Sequence, residues 1–251
     1  MGSRRVFMAG FAGLLGSFQA MRALAQSPAL SASHAPVPSP DAGPAQSVAP
    51  GAGSQAAGPA RRTLYIQPLG QMLPDDDVAI VLTALRAVYG IAVRLLPRVE
   101  LPPDAYYAPG RRYRAERLLD FLAPRLPSDG LRILGLTAVD ISTTKGKVHD
   151  WGILGLGSLD GAAGVLSAFR CHKKSRGPQH ARERLAKVAV HETGHTLGLD
   201  HCPQRGCLME DAEGSVLSTD REYDLCPRCR GLLRQAGYVL PPSPTLPWPR
   251  P

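Results

Sequence analysis

The run His191-Glu192-Thr193-Gly194-His195-Thr196-Leu197-Gly198-Leu199-Asp200-His201 places three imidazoles, a carboxylate and a helix-ending glycine within eleven residues. No other segment restricts the local geometry as strongly. At 3.6 residues per turn, His191 and His195 project from one helix face, so both rings can grip one metal ion while Glu192 stands beside the remaining coordination position. Gly198 falls where a chain leaving that helix needs a residue that tolerates positive φ, and a reversal there brings His201 back to complete a tripod. His-Glu-x-x-His alone also occurs on amphipathic helices that bind nothing. The added Gly198, His201 and apolar lead-in Val188-Ala189-Val190 make a zinc site the expected reading, with Glu192 as general base for a metal-activated water.

Cys202 follows His201 directly, Cys207 comes five residues later, then Met209, and Cys226 and Cys229 form a Cys-x-x-Cys pair. Two such knuckles have the spacing of a closed tetrahedral site in which four thiolates hold a structural zinc, with two disulfides as the alternative. Arg205, Arg228 and Arg230 flank the sulfurs and are expected to offset their charge. The odd cysteine, Cys171, reads as a buried thiol, with inhibitory zinc ligation beside His172 as the alternative.

From Val188 to Cys229 the pattern closely resembles, residue by residue, the archaemetzincin family of zinc peptidases, a branch of the metzincin clan. Upstream, Thr63 to Arg170 matches only in its expected order of strands and helices. The resemblance implies two Zn2+ ions per chain, a catalytic one on His191, His195 and His201 and a structural one on Cys202, Cys207, Cys226 and Cys229. It also places Met209 at the Met-turn, where a thioether forms a floor beneath the catalytic metal; an ordinary core methionine is the alternative. The reaction expected is hydrolysis of a peptide or protein substrate, with an aminopeptidase as one form of it. A noncatalytic peptide-binding zinc module and a structural, metal-stabilised domain are the competing readings, and the intact Glu192 argues against both. Tyr223 and Tyr238 are candidate hydrogen-bond donors to the transition state, and spacing selects neither. His149 and His180 read as surface residues.

The expected fold class is α+β: one zincin-like domain over residues 63–240, with a mixed twisted sheet, an active-site helix and a small zinc-stabilised C-terminal part. Thr63 to Pro68, Ile91 to Leu96, Leu131 to Val139, Trp151 to Leu156 and Gly164 to Phe169 read as strands. Helices are expected at Asp75 to Tyr89, Arg112 to Leu126, Ala181 to Thr196 and Cys226 to Gly237. In metzincins an edge strand above the zinc pairs with the substrate, which nominates Gly152-Ile153-Leu154-Gly155-Leu156; its glycines would permit close backbone approach or a bend. Pro241 to Pro251 reads as a disordered tail.

At the other end, Arg4-Arg5-Val6-Phe7-Met8, the weakly apolar stretch Ala9 to Met21, and Ala23-Leu24-Ala25 read as a cleavable twin-arginine signal over residues 1–25. An exported, periplasmic or secreted protein is expected, with no membrane span left after cleavage. The twin-arginine route carries folded proteins, so zinc can enter among reduced thiolates beforehand. Residues 26–62, rich in Pro, Ala, Ser and Gly, read as a disordered linker; latency through His34 is a weaker alternative. The net charge of +8 includes three leader arginines, which leaves +5. No nucleic-acid motif accompanies that mild excess, so no nucleic-acid partner is expected. The basic run Arg170-Cys171-His172-Lys173-Lys174-Ser175-Arg176 reads as a solvated loop rather than a selector of acidic substrates. A monomer is expected.

Overall fold

The computed structural model describes residues 63–212 and 215–250. The leader and linker expected over 1–25 and 26–62 lie outside the described residues. In chain order the elements are β1 (Thr63–Leu69), α1 (Asp75–Tyr89), β2 (Ala92–Leu95), β3 (Tyr106–Tyr107), β4 (Arg112–Arg114), α2 (Ala115–Leu122), β5 (Gly130–Thr137), β6 (Ile141–Lys145), β7 (Val148–Ile153), β8 (Gly155–Gly157), β9 (Ala163–Ser167), α3 (Pro178–Thr196) and α4 (Pro227–Gln235).

The principal sheet has five strands in the order β2-β1-β5-β9-β8. Its first four are parallel, and β8 runs antiparallel to β9 at one edge. Strands alternate their side chains between faces. Accordingly Leu64, Ile66, Leu134, Leu136 and Leu166 enter a core with residues of α1 and α3, while Tyr65, Leu69, Ile133 and Val165 enter a second core with α2. The sheet is therefore covered on both faces, which is why its parallel strands read as nearly continuous apolar runs. Asp75, Asp76 and Asp77 occupy the first turn of α1, where carboxylates oppose the helix's positive end. Arg182 of α3 reaches Asp77 at 2.9 Å and Asp76 at 3.1 Å, tying the two helices together.

A second, four-stranded sheet, β3-β4-β6-β7, corrects two of the expected elements. Arg112 to Leu126 is not one helix: residues 112–114 pair as a strand with β3 and β6, and α2 starts at Ala115. Arg114 is drawn into the sheet by hydrogen bonds to the Thr144 hydroxyl and the His149 carbonyl. At the other end, Pro124 lies in a 3-10 turn that follows α2, as expected of a residue without an N–H to donate.

Trp151 to Leu156 likewise divides. Its first part belongs to β7, paired with β6, and its last part to β8 in the principal sheet. The chain changes sheets at Leu154, whose carbonyl accepts from the Ser167 N–H at 2.8 Å.

The expected disordered tail is also corrected over residues 241–250. Trp248 is 4% exposed and donates from Nε1 to the Tyr223 carbonyl at 2.9 Å, and Arg230 donates to the Pro241 carbonyl at 2.8 Å. Periodicity carries no signal for such docking, because one large aromatic finds its site through residues far away in the chain. No described helix is long and apolar enough to cross a membrane.

Candidate active site and its metal-binding residues

Helix α3 carries His191, Glu192 and His195, and Gly198, at φ 91°, turns the chain after it. Each helical imidazole is oriented by a backbone carbonyl. His191 Nδ1–H donates to Leu208 O at 2.8 Å and His195 Nδ1–H to Leu199 O at 2.7 Å. Both Nε2 atoms are thereby left as acceptors, and they face each other 3.0 Å apart. His201 closes the group, its ring 5.3 Å from that of His191 and 4.8 Å from that of His195. One nitrogen from each of the three rings lies within 4.8 Å of the others. Burial, followed by repulsion from neighbouring His195, holds His191 down at about 3, so its ring is neutral at ordinary pH. Three imidazoles whose ring nitrogens approach this closely are a donor set that fits zinc.

Glu192 is 6% exposed, and burial pushes its carboxyl up to about 8, opposed by the Gly157 N–H. Strand β8 crosses α3 at this residue. A Cβ on Gly155 would stand 2.5 Å from Glu192 Cγ, and one on Gly157 would stand 2.5 Å from the Glu192 carbonyl oxygen and 2.8 Å from His195 Cβ. The glycines therefore admit the helix that bears the site. Gly194 does the same on another side, where a Cβ would lie 2.4 Å from Met209 Sδ. Fully buried Met209 thus packs against α3 between the turns of His191 and His195.

Cys202, Cys207, Cys226 and Cys229 are all buried, and their sulfurs lie within 4.8 Å of one another. Cys202 Sγ is 3.7 Å from Cys226 Sγ, and Cys207 Sγ is 3.7 Å from Cys229 Sγ. A disulfide spans about 2.05 Å, whereas thiolates ~2.3 Å from a tetrahedral ion sit ~3.8 Å apart. All five cysteines are free, so the disulfide alternative falls and the four sulfurs fit a metal. The sulfur–sulfur contact shared with Cys229 pulls Cys207 down to about 5, with help from the Cys226 and Met209 N–H groups, and the same interaction raises Cys229. Of the flanking arginines only Arg228 approaches a sulfur, with Nη1 4.0 Å from Cys202 Sγ. Arg230 turns instead to Asp224, with both contacts at 3.0 Å, and Arg205 is exposed.

The two clusters share a segment. Between Cys207 and Met209, Leu208 supplies the carbonyl that orients His191, and the Met209 carbonyl accepts from the Cys202 N–H at 2.7 Å. Whatever holds the sulfurs together also holds one imidazole.

The model of peptidase family M54 matches residues 77–235, a span that includes every His and Cys of both clusters. This chain belongs to peptidase family M54. Archaemetzincins from Haloquadratum walsbyi and Archaeoglobus fulgidus are 32% and 33% identical to it over 67% and 68% of its length, and 97% and 98% of theirs. Archaemetzincin crystal structures from Archaeoglobus fulgidus and Methanopyrus kandleri superpose with TM-scores of 0.57 and 0.61, at 33% and 29% identity. They cover 67% and 70% of this chain and 98% and 94% of their own. The M54 chain is a zinc metallopeptidase, as the motif implied, with the expected α+β fold.

In this M54 peptidase a cleft of about 650 Å³ opens over the imidazoles and is lined by β7, β8 and the segment around residues 215–222. Glu222 lines it although only 2% exposed; burial pushes it up to about 8 against the nearby Lys187 ammonium. Sequence reasoning missed Glu222, because Asp220-Arg221-Glu222 reads as a polar surface run. Neither Tyr223 nor Tyr238 is among the described residues that line the cleft. The Tyr223 carbonyl accepts from Trp248, and its ring lies 4.6 Å beneath the Arg250 guanidinium. His180 is not a surface residue: at 8% exposure it contacts Asp220 at 2.8 Å, and Asp220 also accepts from Arg184. Cys171 is buried with its thiol toward the Ser167 carbonyl, and burial raises it to about 12. That is the reverse of what an inhibitory zinc ligand needs.

Proposed function

We propose that His191, His195 and His201 hold the catalytic zinc of this M54 peptidase and that Glu192 is its general base. The observation that supports this best is a buried carboxylate on the helix that carries two of three imidazoles whose ring nitrogens lie within 4.8 Å of one another. Zinc bound there supplies Lewis acidity toward a peptide carbonyl and toward the attacking water. Glu192 takes the proton of that water and returns it to the departing amine, the difficult leaving group of amide hydrolysis. Burial raises Glu192, and positive charge at the tripod acts in the opposite sense, toward the ionised base. The Gly157 N–H orients the carboxylate. The outer edge of β8, last in its sheet, receives the substrate backbone by strand addition.

The four cysteines hold a second, structural zinc in the same proposal, and Met209 serves as the floor beneath α3. An aminopeptidase form is supported by Asp200 and Asp211, carboxylates lining the cleft near His201 and suited to a substrate's free α-ammonium. Export in folded form is proposed from the twin arginines, since it lets reduced thiolates take up metal first.

Glu192→Gln should keep two zinc ions per chain by elemental analysis yet lose peptide turnover at least a thousandfold. His195→Ala should lose one ion. Retained turnover in the Gln variant would remove Glu192 from its role. Paired peptides with free and acetylated N-termini test the aminopeptidase form, and cell fractionation tests export.

A further inference from the structure

Past Glu192 the cleft continues toward β7, and its lining changes sign. Lys145 at the end of β6, and Arg170, Lys173 and Lys174 before α3, all line it. The basic run expected to be a solvated loop thus faces the same cleft as a residue of the β6–β7 hairpin. Two chain segments converge there to make one cationic wall. Arg170 is held against Asp140 by contacts of 2.6 and 2.9 Å, and a Cβ on Gly152 would stand 1.8 Å from its Nη2. Asp140 is shared with Arg112 at 3.4 Å. Lys145 Nζ lies 5.6 Å from the centre of the Trp151 ring. Among the described residues, no carboxylate lies within 4.0 Å of the Lys145, Lys173 or Lys174 ammonium groups, and Lys173 and Lys174 are exposed. Among the described residues, the acidic lining consists of Glu192, Asp200, Asp211 and Glu222, and Glu222 is almost fully buried with Lys187 near it.

From the end of β7 through the sheet change into β8 the contacts are ordered, and that order gives this wall a direction. Gly152 touches Arg170, Gly155 touches Glu192, and Gly157 touches His195. A peptide that adds antiparallel to β8, the better-bonded arrangement, runs opposite to that order. Its C-terminal half then leaves the site toward Gly152 and the lysines.

We propose that the preferred substrates carry acidic side chains just after the cleaved bond, recognised by Lys145, Lys173 and Lys174. This rests on the peptidase reading of the same cleft and adds its substrate class. Lys145 and the other two lysines act as point charges at the rim, so they set electrostatic preference and encounter rate more than a single docked geometry.

The test uses the zinc-loaded chain and peptides identical except for Glu-Glu, Gln-Gln or Lys-Lys at the second and third positions after the cleaved bond. The expected kcat/KM favours Glu-Glu over Gln-Gln by about tenfold at low ionic strength, shrinking toward parity near 0.5 M salt. The double variant Lys173→Glu, Lys174→Glu should reverse the order in favour of Lys-Lys. Anisotropy of the same peptides, fluorescein-labelled, on Glu192→Gln supplies a readout independent of turnover. Salt-sensitive binding that favours Glu-Glu, without cleavage by wild type, would retain the cationic wall and defeat the peptidase reading. Cleavage indifferent to charge, or a preference only for acids before the bond, would overturn the proposal while the peptidase reading stood.

Discussion

Gly157 places its backbone against both the carbonyl of Glu192 and the Cβ of His195, so a methyl group there meets main chain rather than a mobile side-chain end. Gly157→Ala is expected to destabilise the protein by about 1–3 kcal/mol and to move β8 away from Glu192. In a denaturant melt and an activity assay run together, turnover should fall while bound zinc is retained. Gly155→Ala meets mainly the Glu192 side chain, so its stability loss should be smaller.

Glu222 shows a different single-residue effect. Burial raises its pKa from 4.5 to about 8, so the folded state holds its proton more tightly than the unfolded chain does. Its contribution is therefore full below pH 4.5 and is lost as pH rises toward 8. Glu222→Gln should thus match wild type near pH 4.5 and exceed it at pH 8.5, by about 2–4 kcal/mol. Thermal melts of zinc-loaded protein across that range check the sign, and a constant difference would contradict the buried, protonated carboxyl.

Among the elements, the knuckle from Cys202 to Met209 joins the two metal-binding clusters. Its sulfurs face Cys226 and Cys229, and its Leu208 carbonyl orients His191. Cys207→Ser is therefore expected to lower occupancy at the imidazoles as well as at the sulfurs, by the ten- to hundredfold in affinity typical of lost outer-shell support. Zinc titration with a competing chelator resolves both affinities; an unchanged imidazole site would show the clusters to be independent. The C-terminal segment is a second brace. Trp248→Ala removes a buried indole and its bond to Tyr223, for an expected loss of about 3–5 kcal/mol in urea unfolding. Since Tyr223 follows Glu222, the cleft wall should loosen with it and KM should rise more than kcat falls.

For the molecule as a whole, the tripod was legible because its chemistry is local. A helix fixes the relation of positions 191, 192 and 195 by its own period, and a glycine one turn past the second histidine permits the reversal that returns His201. The cysteine knuckles were legible for the same reason, since a thiolate cage depends on short spacings at each end. What sequence could not determine depends on residues distant in the chain meeting across the sheet. The switch of the chain between sheets at Leu154, the burial of Glu222, the docking of Trp248 and the convergence of Lys145 with Lys173 and Lys174 leave no period in the sequence, because each partner looks ordinary alone. Sequence thus determined the class of reaction and which histidines and cysteines could be brought together, through short-range backbone geometry. Only the tertiary structure decided the shape and charge of the cleft, because those arise where separate elements pack.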